Sequence, residues 1–370
     1  MSAEHETFFP VPFDTNYVVA IFGVTTSPAM HTEPWHSSIQ IESSDNLEYL
    51  LTIHNDHTTG LTVSGGSMGA AIWKVVADAF QQAKTQSTHP HILHSHCEFL
   101  RTARSGKLMA KVEISKSGRQ STAWHITVSQ NGQQIIRAQC TSGDLSKRIG
   151  PTIATMPILA PPVPNADLAT LSKSGEDANW LLVGEPYHAK QPLKSWTYLR
   201  FAIPKAGPIH PSITDIWVTP SRSATKITQG WLPYIVDFFT RPVENYLKRS
   251  PYSIAGLLER GRHYNSRGSD LPVPRDPTDE WVRTYQPPFG FPTQSIDIDV
   301  QKLLPEEGVD WLFLRAKMTA AQNGRTHYDI VVLDEAGDIV ALSNQIGLIV
   351  PTTGMTGYGA SKFAGRDSKL

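Results

Sequence analysis

Residues 124–140 read WHITVSQNGQQIIRAQC, and residues 328–345 read YDIVVLDEAGDIVALSNQ. Each is an apolar, β-branched run that breaks at a glycine turn and resumes β-branched. Asn131-Gly132 is the pair that a two-residue hairpin selects, because both turn positions need positive φ. Glu335-Ala336-Gly337 serves the same purpose in the second stretch. Upstream of each hairpin stands another strand-like segment, KLMAKVEISKSG (107–118) in one half and DWLFLRAKMTA (310–320) in the other. Further upstream are HILHSHCEFL (91–100) and TQSIDIDVQ (293–301). One module is written twice.

Each copy also has a helix ahead of these strands. Met68, Ala71, Ile72, Val75, Val76 and Ala79 recur with the spacing of one helical face, after Ser64-Gly65-Gly66. This predicts a helix over 66–82. Leu232, Ile235, Val236 and Phe239 repeat the pattern, which predicts a second helix over 231–240, limited by Pro242. VVADAF resembles YIVDFF, which sets Asp78 opposite Asp237. Strand follows strand with no helix between, so parallel βαβ units are excluded and the class is α+β with antiparallel sheets. The sheets of the two halves are expected to meet edge to edge. A proline-rich connector, GPTIATMPILAPPVPN (150–165), separates the halves and suits an extended spacer.

The 370 residues carry a net charge of -1, which leaves no electrostatic footprint for nucleic acid. No apolar stretch reaches the ~18 residues of a membrane span. The opening MSAEHETFFPVPF lacks the basic and apolar regions of a signal peptide. Cys97 and Cys140 alone support no disulfide framework. His54 with His57, and His94 with His96, lack the helical spacing or cysteine pair of a zinc site, so no metal and no cofactor is expected. The chain ends Ser368-Lys369-Leu370, a peroxisomal address read by an import receptor. A peroxisomal location is therefore expected.

Gly65-Gly66-Ser67-Met68-Gly69 fits the G-x-S-x-G elbow of serine hydrolases. That fold alternates strands with helices after the elbow, whereas a meander follows here. Small residues at a helix start instead let the backbone approach a neighbour closely, and the N–H groups there can face a carbonyl or an anion.

One helix wrapped by an antiparallel meander, written twice, resembles the double-hotdog acyl-CoA thioesterase II (TesB-like) family over most of residues 15–352. The Gly-Gly helix start, FLR (99–101), SGR (117–119) and QNG (130–132) look like the family's N-terminal hotdog. YIVDFF (234–239), TQSID (293–297) and ALSNQIG (341–347) look like its catalytic positions. The resemblance implies a tandem hotdog fold and a triad of Asp237, Ser295 and Gln345. Such a triad hydrolyses an acyl-CoA to free acid and CoA through an activated water. Gly65 and Gly66 are the candidate substrate-binding residues. The chemistry suits these types: a carboxylate takes the water's proton, and hydroxyl and amide groups hold the water in line. In the first half, Cys140-Thr141 stand near the place of Gln345, so one working triad is expected.

The expected organisation is an N-terminal hotdog at 1–149, a linker at 150–185, a C-terminal hotdog at 186–356 and a tail at 357–370. The C-terminal module carries an insertion at about 240–290, longer than the family pattern. It reads either as a surface insertion or as a lid supplying an arginine to a CoA phosphate. Two rival functions stay open: a hotdog dehydratase or cyclising enzyme of a specialised biosynthetic pathway, and a non-catalytic acyl-CoA binder. Two hotdogs in one chain allow a monomeric pseudo-dimer or a homo-oligomer.

Overall fold

The computed structural model describes residues 38–83, 89–147, 159–184, 194–221, 225–239, 241–265 and 284–352, with isolated positions between. Ser368–Leu370 and the tail they end lie outside the described residues. In the first half, β1 (Ile39–Ser43) and β2 (Glu48–Ile53) are followed by a short ribbon, β3 (Thr58–Thr59) with β4 (Thr62–Val63). Helix α1 (Gly65–Gln82) comes next, then the meander β5 (His91–Phe99), β6 (Gly106–Ser117), β7 (Thr122–Gln130) and β8 (Gln133–Gly143). The Ser64 side chain accepts from Ser67 N–H and caps α1. Met68, Ala71, Ile72, Val75, Val76 and Ala79 are all buried against the sheet, as their spacing predicts. Asn131 and Gly132 both take positive φ at the β7–β8 turn.

The next stretch holds α2 (Leu168–Ser174) and β9 (Trp180–Gly184). The second half then repeats the first. It runs β10 (Leu199–Pro204), β11 (Ile213–Pro220), α3 (Leu232–Asp237), α4 (Ile254–Asn265), β12 (Phe289–Gly290) and β13 (Thr293–Val300). It closes with β14 (Leu312–Gln322), β15 (Arg325–Leu333), β16 (Ile339–Leu348) and β17 (Val350–Pro351). Thirteen of the described strands form one antiparallel sheet in the order β1-β2-β6-β7-β8-β5-β13-β16-β15-β14-β11-β10-β9. The halves join where β5 pairs with β13, with Cys97 opposite Ile296. Apart from β9 the order is the same read outward from that seam, which is the pseudo-twofold of a double hotdog.

Three features depart from the sequence reading. The second helix stops at Asp237 rather than 240, because Phe238 leaves helical geometry to pack among Trp196, Phe201 and Tyr234. In each half a pair of strands of the large sheet, β1–β2 and β10–β11, precedes the helix. The expected spacer at 150–185 is partly structured: β9 pairs with β10 at the sheet edge, and Trp180 is fully buried. The spacer is also tied down, since Arg315 on β14 donates two bonds to Asp215 on β11, at 2.6 and 2.8 Å, and one to the Pro161 carbonyl at 2.6 Å.

The first part of the insertion belongs to the core. Helix α4 buries Ile254, Leu257 and Leu258, and Gly261 lies so close to β9 that a Cβ would fall 2.3 Å from a Val183 methyl. Residues 266–280 lie outside the described residues.

Candidate active site

Helices α1 and α3 cross at the seam between the halves, and glycines make the crossing possible. A Cβ on Gly66 would lie 2.8 Å from Asp237 Cβ and from the Pro233 carbonyl oxygen, and one on Gly69 would lie 2.9 Å from Pro233 Cβ. Real Cβ atoms do not approach so closely. The result is that Asp237, the last residue of α3, faces the first turn of the other half's helix. Gly66 N–H donates to Asp237 Oδ2 at 2.8 Å. That donor is one of the N–H groups that a helix start leaves unpaired, and the positive end of the helix dipole favours a carboxylate there. The Asp237 side chain is 6% exposed. Burial pushes its carboxyl above the ordinary carboxylate range, while Arg241, the Gly66 N–H and the Thr293 hydroxyl each pull it back. Arg241 Nη2 lies 3.9 Å from Oδ1.

Of the three expected catalytic residues, two come together and one does not. Gln345 on β16 is buried and its Nε2 donates to the Val236 carbonyl at 2.7 Å, fixing the peptide that leads into Asp237. Ser295 on β13 stands in register with Ile346 on one side and Glu98 on the other. Paired residues share a face. Gln345, by contrast, pairs with Ile296 and faces the helices. Alternation therefore turns Ser295 away from Asp237. The cause is a β-bulge: Thr293 pairs with Gly347 and Ser295 with Ile346, so Gln294 is an extra residue. The hydroxyl that meets the carboxylate belongs to Thr293, whose Oγ1 donates to Asp237 Oδ1 at 3.4 Å. Thr293 is two residues from Ser295 in the same TQSID motif, and the periodicity gives no signal for the extra residue that exchanges their faces.

The Ser67 hydroxyl is fully buried and has a histidine partner that sequence reasoning missed. His57 Nδ1 lies 3.0 Å from Ser67 Oγ, His57 Nε2 lies 2.7 Å from Ser38 Oγ, and Ser64 Oγ donates to Ser67 Oγ at 2.8 Å. This chain braces the start of α1 beneath Gly66. Asp78 does not mirror Asp237: it accepts from Gln82 at 2.8 Å inside the last turns of α1. The register keeps the counterpart of Gln345 where the sequence places it. The irregularities at Ile92/His94 and Thr293/Ser295 are equivalent, so Ser95 answers to Ile296; Ile296 pairs with Gln345 and Ser95 with Cys140, and the symmetric position holds Cys140. Arg241, from the start of the insertion, turns toward Asp237. Among the described residues no group of His, Cys, Asp or Glu could hold a metal ion, and no helix is long and apolar enough to cross a membrane.

Two sequence profiles match this architecture: that of the acyl-CoA thioesterase N-terminal domain over residues 53–143, and that of the C-terminal domain over residues 166–349. The chain belongs to the acyl-CoA thioesterase family. Within it, the chain is similar to the thioesterase-like protein TwmA of Talaromyces wortmannii, at 27% identity over 341 residues, spanning 87% of this chain and 94% of the relative. Solved structures share the fold at lower identity. The tesB protein of Mycobacterium avium subspecies paratuberculosis superposes with a TM-score of 0.54 at 12% identity, over 85% of this chain and 98% of that one. A hot dog fold protein from Alicyclobacillus acidocaldarius, itself of unknown function, gives 0.54 at 16%, over 84% and 95%. The motifs TQSID on β13 and ALSNQIG on β16 fall inside the second matched region.

Proposed function

We propose that this thioesterase-family chain hydrolyses an acyl-CoA thioester, with Asp237 as the base that activates water. The single observation that carries the reading is the bond from Gly66 N–H to a buried Asp237. It joins a proton acceptor from one half to the helix start of the other. Burial holds the carboxyl high, nearer to neutral pH, which makes it a better base than a solvated aspartate. The thioester carbonyl would lie beside Gly65, where its N–H and the dipole of α1 stabilise the oxyanion as water adds, the Gly66 N–H being held by Asp237. Thr293 and Gln345 hold the carboxylate and its peptide in place, and Ser295 is set aside in favour of Thr293. The reaction adds water across the C–S bond: the hydroxide goes to the acyl carbon, and its proton passes through Asp237 to the CoA sulfur. No covalent acyl-enzyme is needed.

The test is thiol release from a panel of acyl-CoAs, by the wild type and by Asp237→Asn. Turnover by the wild type and a loss of ~10²-fold or more in Asp237→Asn are expected if Asp237 is the base. Equal rates in the two would remove Asp237 from the reaction. Tight binding with no thiol release would favour an acyl-CoA binder.

A further inference from the structure

The large sheet has a second face, turned away from the helices, that hydrolysis does not use. The spacer covers part of it: Leu171 on α2 packs with Trp180 and Leu182 on β9 and with Phe313 on β14. Toward the seam this face carries a row of polar residues instead. Register sets His96, Gln139, His125 and Glu113 in line across β5, β8, β7 and β6 of the first half. The row continues through Asp297, Asn344, Asp329 and Lys317 across β13, β16, β15 and β14 of the second. These residues alternate with those that face the helices, and none of them is buried. Within the chain, Asp297 Oδ1 lies 2.7 Å from His96 Nδ1, Asn344 donates to Asp329 Oδ1 at 2.6 Å, and Glu113 lies 3.2 Å from Lys111. A carboxylate accepts at two oxygens, so each of these three has a second to offer. The face is hollow here, with a cavity of about 520 Å³ bordered by His96, His125, Arg137 and Gln139.

We propose that this face binds a second copy of the chain, about a twofold axis that lies over the seam and runs parallel to the strands. The order of the charges selects both the partner and the axis. A turn about that axis lays β13 of one copy over β5 of the other. Each residue of the row then meets the one at equal distance on the far side of the seam. His96 meets Asp297 and His125 meets Asp329, an imidazole against a carboxylate each time. Gln139 meets Asn344, amide against amide, and Glu113 meets Lys317. The next row follows the same rule, with His94 set against Asp299. An axis across the strands would instead lay each residue on its own twin, Asp297 on Asp297 and Lys317 on Lys317, which repels. Because the interface is isologous, every contact forms twice. Eight strands at about 4.8 Å make the row about 34 Å long, and with the rows on either side it is about 20 Å deep. That approaches the roughly 800 Å² that each partner gives to a stable interface. Sheets packed face to face keep their strands within about 30° of one another, as this axis requires. The inference is independent of the thioester reading.

The experiment is sedimentation velocity on the full chain over the micromolar range, at moderate salt. The wild type should sediment as a dimer. Lys317→Glu sets a glutamate against Glu113 at both ends of the interface and leaves the Lys111–Glu113 pair intact. Glu113→Lys sets a lysine against Lys317. Each reversal should weaken the dimer about tenfold or more, because like charges facing each other across an interface are costly. Both reversals in one chain restore opposite charges and should restore the dimer. Melting curves check the fold of each variant. A monomeric wild type would overturn the proposal and leave the face to a different partner. A dimer indifferent to both single reversals would overturn it as well, as would single losses that the double reversal fails to recover.

Discussion

Gly66→Ala tests the crossing of α1 and α3 directly. The added Cβ meets Asp237 Cβ at 2.8 Å, the Pro233 carbonyl oxygen at 2.8 Å and Tyr234 Cα at 2.9 Å. Two of these three atoms are backbone and cannot swing aside, so the helices must separate by several tenths of an ångström. Overpacking of this kind costs about 1–3 kcal/mol. Alanine returns up to ~1 kcal/mol in a helix interior and less in the first turn. The net expectation is a loss of roughly 1–2 kcal/mol. The same separation stretches the 2.8 Å bond from Gly66 N–H to Asp237, so turnover should fall about tenfold or more. Gly65→Ala is the control for packing, because its nearest contacts are at 3.4 Å, ordinary for a Cβ. Urea denaturation followed by fluorescence, alongside thiol release on the same preparations, measures both effects. Wild-type stability and wild-type turnover in Gly66→Ala would refute the close crossing and the role given to its N–H.

Thr293→Val should lower turnover about tenfold while Ser295→Ala changes it little, since only Thr293 bonds Asp237; the opposite ranking in a steady-state thiol assay would restore Ser295. Asp237→Asn should be more stable than the wild type at neutral pH. The folded-state pKa of Asp237 is raised, so its contribution to stability is present at low pH and lost as pH rises through that value. Melting curves from acid to neutral pH should converge at the acid end, and the acid limb of the turnover profile should lie above the ordinary carboxylate range. Arg315→Met should cost about 3–5 kcal/mol by stranding Asp215, and adding Asp215→Leu should recover most of it in chemical denaturation. A fluorescent fusion ending in Ser368-Lys369-Leu370 should co-localise with a peroxisomal marker and become diffuse without those three residues; unchanged punctate signal would remove the address.

The parts legible in the sequence were those with a local cause. The α1 stripe from Met68 to Ala79 and the Asn131-Gly132 turn each follow from spacing or φ alone. A second Asn-Gly turn, Asn323-Gly324 between β14 and β15, takes the same positive φ pair and carries the same signal. Strands β1, β2, β10 and β11 were harder, because no hairpin dipeptide marks their turns and their partners β6 and β14 lie far along the chain. Asp237 and Gln345 could be found because a resemblance pointed to them. Ser295 was misplaced because a single extra residue at Gln294 changes which hydroxyl faces inward, and a two-residue period cannot report it. His57 beside Ser67 was invisible for a different reason: their contact is set by how the β3–β4 ribbon folds under α1.

The seam between β5 and β13 has a consequence for inheritance. In an assembly of two identical chains, every substitution arrives twice, once on each side of the axis, so neither copy of a residue can change alone. Here both sides of the axis are encoded separately. That is how Gln345 on β16 can face its task while the symmetric position on β8 is Cys140, closed into the core at 2% exposure. Covalent duplication thus releases one side from chemistry and lets it specialise in holding the other.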